Sequence, residues 1–108
     1  MVKRSKQFYE ARARVAKALA HPSRLLMLDA LKERELCVCE LTELVGADQS
    51  TVSKHLGVLR NAGIVADRRE GSSSYYRLKV RCLDGFFGCV ESVLAGELKS
   101  REKELSHR

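Results

Sequence analysis

The chain has 108 residues, 44% of them hydrophobic, with 20 Lys and Arg against 14 Asp and Glu and a formal net charge of +6. That length and apolar content predict one folded domain, and the positive balance suits a polyanionic partner. No apolar run is long enough to span a bilayer and the N-terminal MVKRSKQFYEARAR lacks an apolar signal core, so a cytoplasmic protein with no membrane partner is expected.

In chain order, residues 5–19 read as a helix. Phe8, Ala11, Val15 and Ala18 or Leu19 fall three and four apart, while Lys6, Arg12, Arg14 and Lys17 can face water. His21-Pro22 breaks that run, and Pro22 suits the first turn of a second helix over about 22–32, with Leu25, Leu28 and Leu31 on a broad apolar face. His21 reads as a cap or a surface hydrogen-bonding group rather than a ligand. Residues 35–37 form a short extended piece, and a third helix follows at about 39–45, stopped by Gly46. Asp48 is placed to cap a fourth helix that runs to about Asn61 and stops at Asn61-Ala62-Gly63.

That fourth helix carries Val52, Leu56 and Leu59 at i, i+4 and i+7, on one face. Its other faces hold Gln49, Ser50, Thr51, Ser53, Lys54 and His55, all short, polar or cationic. Beyond it, IVADRR and YYRLK are strand-like around a Glu-Gly-Ser turn, which predicts a β-hairpin. Residues 54–81 hold seven basic side chains (Lys54, Arg60, Arg68, Arg69, Arg77, Lys79, Arg81) and two acidic ones (Asp67, Glu70), a local +5. Helix, turn, helix and basic hairpin in this order predict a mainly α fold with a small β-hairpin, a winged helix–turn–helix in one domain over 1–108.

The last helix, about 83–104, has two apolar stripes: Leu83, Phe87, Val90, Leu94 and Leu98, and beside them Cys82, Phe86, Cys89 and Val93. One stripe can pack inward and the other can meet a partner, so a homodimer formed by the N- and C-terminal helices is expected. The tail over 99–108 is mixed in charge and expected to fray.

A major groove admits one α-helix, and the N-terminal part of a recognition helix reaches the base edges. Gln49, Ser50, Ser53 and Lys54 are placed for that work, with Thr51 and His55 beside them. Arg68, Arg69, the turn serines including Ser73, and Tyr75 or Arg77 would contact phosphates or an adjacent minor groove.

Four cysteines without a secretion signal do not read as a disulfide framework, and no CxxC pair occurs. Cys37 and Cys39 point to one side on extended backbone, but diverge by about 200° on an ideal helix. Sharing one thiophilic ion therefore needs an extended or loosened helix start, and ion binding is expected to distort the helix that supports the reading helix. Cys82 and Cys89 lie seven apart on one helix face, about 10.5 Å along its axis. Either could complete a site with Cys37 and Cys39, or both could be interface packing. A thiol pair could equally be a redox switch.

ALAHPSRLLMLDAL, ELCVCEL and QSTVSKHLGVLRNAGIV, followed by RREG and YYRL, resemble the ArsR/SmtB family of metal-responsive repressors. The likeness covers about 18–78 and the terminal helix. It implies homodimeric winged helix–turn–helix repressors that bind operator DNA without metal and release it with metal. ELCVCEL differs by one acidic swap from the family's thiolate signature, which implies that Cys37 and Cys39 are ligands and that residues 49–55 contact DNA. Arsenic-sensing members carry a third cysteine three positions after the second, and here that position is Thr42; Cys82 or Cys89 is then the possible third ligand. No His lies between Leu83 and Ser106, which argues against the family's terminal-helix zinc site. As(III) or Sb(III) is the expected inducer, with Cd(II) or Pb(II) next. The alternative is a redox- or persulfide-responsive repressor of the same fold. A small thiol enzyme has no supporting motif.

Overall fold

The computed structural model describes residues 4–106, with side chains through Lys99. Helix α1 (Lys6–Leu19) is capped by Ser5, whose hydroxyl accepts from the Phe8 amide at 3.2 Å. Helix α2 (Pro22–Glu33) starts with proline at its first position, and His21 Nδ1 accepts from the Ser23 amide at 3.1 Å. His21 is thus the cap its position predicts. Strand β1 (Leu36–Cys37) leads directly into α3 (Val38–Val45), which Gly46 ends in the left-handed conformation at φ 76°. The Gly46 amide closes the helix on Thr42 O at 3.0 Å. Asp48 caps α4 (Gln49–Asn61), accepting from the Thr51 amide at 3.2 Å.

The wing is β2 (Val65–Glu70) and β3 (Ser73–Leu78), joined through Gly71 at φ 63°. It is not a free hairpin. The two residues of β1 pair antiparallel with β3, Leu36 opposite Tyr76 and Cys37 opposite Tyr75, giving a sheet in the order β1-β3-β2. The middle of β3 is therefore fixed to the segment that starts α3. Helix α5 (Leu83–Ser106) completes the fold. The tail expected to fray is helical to Ser106, and residues 107–108 lie outside the described ones.

One core joins these elements. Met27, Leu28, Leu31, Leu41, Val52, Leu56 and Leu59 are fully buried, with Ile64, Val65, Tyr76 and Leu78 closing the sheet side. In α2 the inward stripe is Met27, Leu28 and Leu31, not Leu25, which stays 37% exposed. Adjacent residues 27 and 28 straddle the core direction, and 31 lies one turn beyond them; 25 is rotated off that face.

The outer helices are only partly used within the single chain. Of α1 only Ala18 and Leu19 are buried, and of the described side chains of α5 only Leu83 and Phe87. Tyr9, Val15, Phe86, Val90, Val93, Leu94 and Leu98 are all exposed. The radius of gyration is 17.3 Å, against about 13 Å for a compact chain of this length. Projecting helices with bare apolar faces account for the difference. Among the described residues no helix is long and apolar enough to cross a membrane.

Candidate nucleic-acid interface and thiol site

Helix α4 turns Val52, Leu56 and Leu59 into the core, so the residues at its outer face are fixed in direction. Gln49, Ser50, Thr51, Ser53 and Lys54 are exposed on its N-terminal half. Hydrogen bonds from the Thr51 side chain and backbone and from the Ser50 hydroxyl hold the Asp48 carboxyl below the usual range. The cap thus stays ionised and holds the helix start firm.

His55 departs from the expected outward set. It is half-buried, and its Nδ1 accepts from Arg24 Nε at 3.0 Å, with the His21 ring 4.2 Å away between centroids. Burial first, then the nearby His21 and Arg24, push its pKa down. The physical reason is its position three residues after Val52 and one before Leu56, on the shoulder of the buried stripe. Its side chain braces α4 against α2 from the rear of the reading face.

The pleat sorts the wing residues that the sequence grouped together. Val65, Asp67 and Arg69 oppose Leu78, Tyr76 and Ser74, so Arg69 shares the face turned toward α4. Arg68 lies on the opposite face, opposite Tyr75. There its Nε and Nη2 both reach one Glu35 carboxylate oxygen, Nη1 reaches Glu70 at 2.8 Å, and the guanidinium stacks over Tyr75 at 4.7 Å. The Arg68 guanidinium in turn holds the Glu35 carboxyl below its ordinary pKa. Within the single chain Arg68 is thus engaged by Glu35, Glu70 and Tyr75. Exposed Arg77 lies on the same face as Tyr75, and Ser73 lies by the tip. Arg60 is also occupied, pairing with Asp67 at 3.3 Å. Among the described residues Lys54 and Arg69 form no ion pair, and they are the cations left on the α4 side of the wing.

Cys37 is the N-cap of α3, extended at φ −80° and ψ 162°, and Cys39 is the second helical residue. The extended cap swings its side chain back over the first turn, where its sulfur accepts from the Glu40 amide at 3.2 Å. Glu40 reciprocates, its carboxylate accepting from the Cys37 amide at 3.1 Å, and Arg34 holds that carboxylate at 2.8 Å. Arg34 first, then the Cys37 amide, lower the Glu40 pKa. This is a capping box with cysteine in the usual Ser or Thr position. Both sulfurs meet, joined as a disulfide, with Cα atoms 5.3 Å apart. The extended first residue that sharing an ion is expected to need is thus present, and it brings the sulfurs together with the helix start regular. Sulfurs close enough to bond one another are, once reduced, also within the span of one thiophilic ion.

Among the described residues of the single chain no third ligand is brought to the pair. Cys82 and Cys89 are exposed, and among the described residues no group of three His, Cys, Asp or Glu side chains is placed to hold a metal ion. Thr42, at the position of the missing cysteine, donates to Val38 O at 2.7 Å within its own helix.

Cys37 and Cys39 form one wall of a polar cleft of about 390 Å³. Its other walls are Gln49 and Ser53 of α4, and Arg69, Ser72, Ser73, Ser74 and Tyr76 of the wing. The thiol pair, the start of the reading helix and the inner face of the wing thus border one space. Neither the cleft nor the Arg24–His55 brace was legible in the sequence. The cysteine capping box went unread as well, although Glu40 three residues after Cys37 was the signal that could have found it.

These elements define a winged helix–turn–helix module, the architecture of a transcriptional regulator and not of an enzyme. Residues 21–67 match the family described as bacterial regulatory protein, arsR family. The uncharacterized HTH-type transcriptional regulator Rv0081 of Mycobacterium tuberculosis is 39% identical over 98 residues, covering 90% of this chain and 86% of that protein. Its crystal structure superposes with a TM-score of 0.78, covering 90% of this chain and 98% of that one. The arsenic resistance transcriptional regulator ArsR1 of Pseudomonas putida is 51% identical over 93 residues, 85% of this chain and 70% of that protein. The solution structure of the homodimeric winged helix-turn-helix DNA-binding domain Mb0332 from Mycobacterium bovis gives a TM-score of 0.74 at 33% identity, covering 93% and 95% of the two chains. The chain belongs to the ArsR family of transcriptional regulators, as its ELCVCEL and QSTVSKHL segments suggest.

Proposed function

We propose that this chain is a homodimeric cytoplasmic repressor that binds operator DNA and releases it when Cys37 and Cys39 bind a thiophilic metalloid, As(III) or Sb(III) first. The observation that carries this reading is the convergence of two sulfurs on a cleft shared with Gln49 and Ser53. Soft thiolates select soft ions, and such binding displaces their protons. Two sulfur donors suit a trivalent arsenic or antimony that keeps one oxygen ligand, since among the described residues of the single chain no third donor lies at the pair; Cys82 or Cys89 of a second copy would replace that oxygen. Cd(II) or Pb(II) would need donors from elsewhere and rank second. The 51% identity to a protein named for arsenic resistance supports the same choice. Base edges would be read from Gln49, Ser50, Thr51, Ser53 and Lys54, with Arg69 and the serines of the turn on the backbone. Dimerisation through α1 and α5 would cover their bare apolar faces, and the homodimeric Mb0332 domain supports a dimeric state.

A second reading rests on the bond between the two sulfurs. In it a peroxide oxidises both thiols to the disulfide, each peroxide leaving as two waters, and DNA is released until a reductant restores the thiols. Fluorescence anisotropy of bound operator against arsenite, antimonite, cadmium, lead, zinc and peroxide tests both. Release by arsenite under reducing conditions supports the first reading. Release by peroxide alone, reversed by dithiothreitol, replaces it with the second. An allosteric ligand typically supplies about 1–3 kcal/mol of coupling, so the affinity change should be roughly 5- to 150-fold.

A further inference from the structure

We propose that the cleft between α3, α4 and the wing seats a segment of DNA backbone, and that Cys39 is part of its wall. DNA and any adduct on the thiol pair then exclude each other by claiming the same space. This deepens the functional reading above and rests on α4 and the wing engaging DNA.

The geometry requires a strand to pass here. With α4 in a major groove and the wing against the adjacent backbone or minor groove, the strand between those grooves crosses from Gln49 and Ser53 to Arg69 and Ser73. Those residues are opposite walls of the cleft. Its lining chemistry also fits: hydroxyls, an amide and a guanidinium can all donate to phosphate oxygens, and no carboxylate is among the lining residues. The nearest acid on α3, Glu40, is turned away into its bonds with Arg34 and the Cys37 amide. Arg69 makes no ion pair among the described residues, whereas its neighbour Arg68 is held on the other face by Glu35 and Glu70.

The two sulfurs have different access. Cys37 is 6% exposed, while Cys39 is exposed at the cleft wall. A group attached at Cys39 enters the path of the strand with no movement of α3. Release by occupancy needs only one modified thiol, whereas a relay driven by chelation needs both.

The test has two arms. In the first, reduced protein is treated with iodoacetamide, alone and with a saturating duplex selected by the protein from a randomised pool, and alkylation at Cys39 is followed by peptide mass spectrometry. The expected result is slowing on the order of tenfold or more, as saturation leaves little free protein. DNA held, by anisotropy, with an unchanged Cys39 rate overturns this proposal and leaves the repressor reading standing. Failure to retain any duplex overturns both. In the second arm, a C82S/C89S protein is modified at Cys39 with N-ethylmaleimide and compared with the same protein unmodified. The adduct should remove DNA binding while dimer mass and melting temperature persist. Unaltered affinity in the adduct, like loss of binding only through unfolding, contradicts the steric account.

Discussion

Arg24 donates through Nε to Nδ1 of His55 at 3.0 Å, tying the first turn of α2 to the middle of the reading helix. The same guanidinium donates to Ala18 O at 3.2 Å, so the end of α1 is held as well. One side chain thus fixes α4 against both helices behind it, and α1 carries part of the apolar face offered to a partner. The direction of the reading helix and the frame of a dimer meet at this residue. Arg24→Ala should cost about 1–2 kcal/mol, the value of a partly buried hydrogen-bonded contact, and should weaken DNA binding although Arg24 lies behind the reading face. His55→Asn, whose Oδ1 can accept where Nδ1 does, should be milder. Thermal denaturation and anisotropy check both; identical melting temperatures for Arg24→Ala and wild type would discard the brace.

The same contact makes stability depend on pH. Protonation of His55 would place an N–H against the Arg24 donor, with His21 on the other side and the Lys17 and Ala18 carbonyls already taken up by Arg24. The folded pKa lies below the ordinary imidazole value of about 6.5. The unfolded chain therefore binds the proton first as pH falls. The contribution of His55 is fully present above that ordinary value and is lost as pH drops through the folded one. Denaturant melts at descending pH should show this slope in wild type and less of it in His55→Asn. Equal slopes would assign the effect elsewhere.

Arg68 and Arg69 should behave differently although they are neighbours. Arg69→Ala should weaken DNA binding and reduce the salt slope of log affinity by about one phosphate contact. Arg68→Ala should leave that slope nearly unchanged and instead loosen the wing, because its partners are Glu35, Glu70 and Tyr75. Salt titrations of both variants decide the matter. A larger slope change for Arg68→Ala would mean that the pleat assignment does not govern DNA contact.

Leu94 is 52% exposed and Val93 67%, on a helix with few contacts of its own. Leu94→Glu should convert a dimer to monomer in sedimentation and, by separating paired reading helices, reduce operator affinity strongly. It should cost the single chain little, since Leu94 is outside the core. A Leu94→Glu protein that stays dimeric would place the interface elsewhere.

Much of this was legible in the residues themselves. Pro22, Gly46 and Asp48 mark helix boundaries by their own backbone chemistry, and Val52, Leu56 and Leu59 fix the buried side of α4 by period alone. Pairing of β1 with β3 was not legible, because two residues cannot display alternation and their partners lie far along the chain. Arg68 and Arg69 looked alike until the register placed them on opposite faces. His55 looked like part of the reading surface because its contact is with Arg24 in another helix. The meeting of Cys37 and Cys39 was half legible. Their spacing required an extended first residue, and the capping box supplies it without disturbing the helix.

The central claim is that the Cys37–Cys39 pair carries the signal that releases DNA. Its most direct measurement is an arsenite titration of operator-bound wild type and C37S/C39S protein under reducing conditions, each scaled to its own metalloid-free affinity. Arsenite should release the wild type and leave the double variant bound at every concentration that empties the wild-type complex. Release of the double variant over the same range would place the sensing site elsewhere and contradict the account.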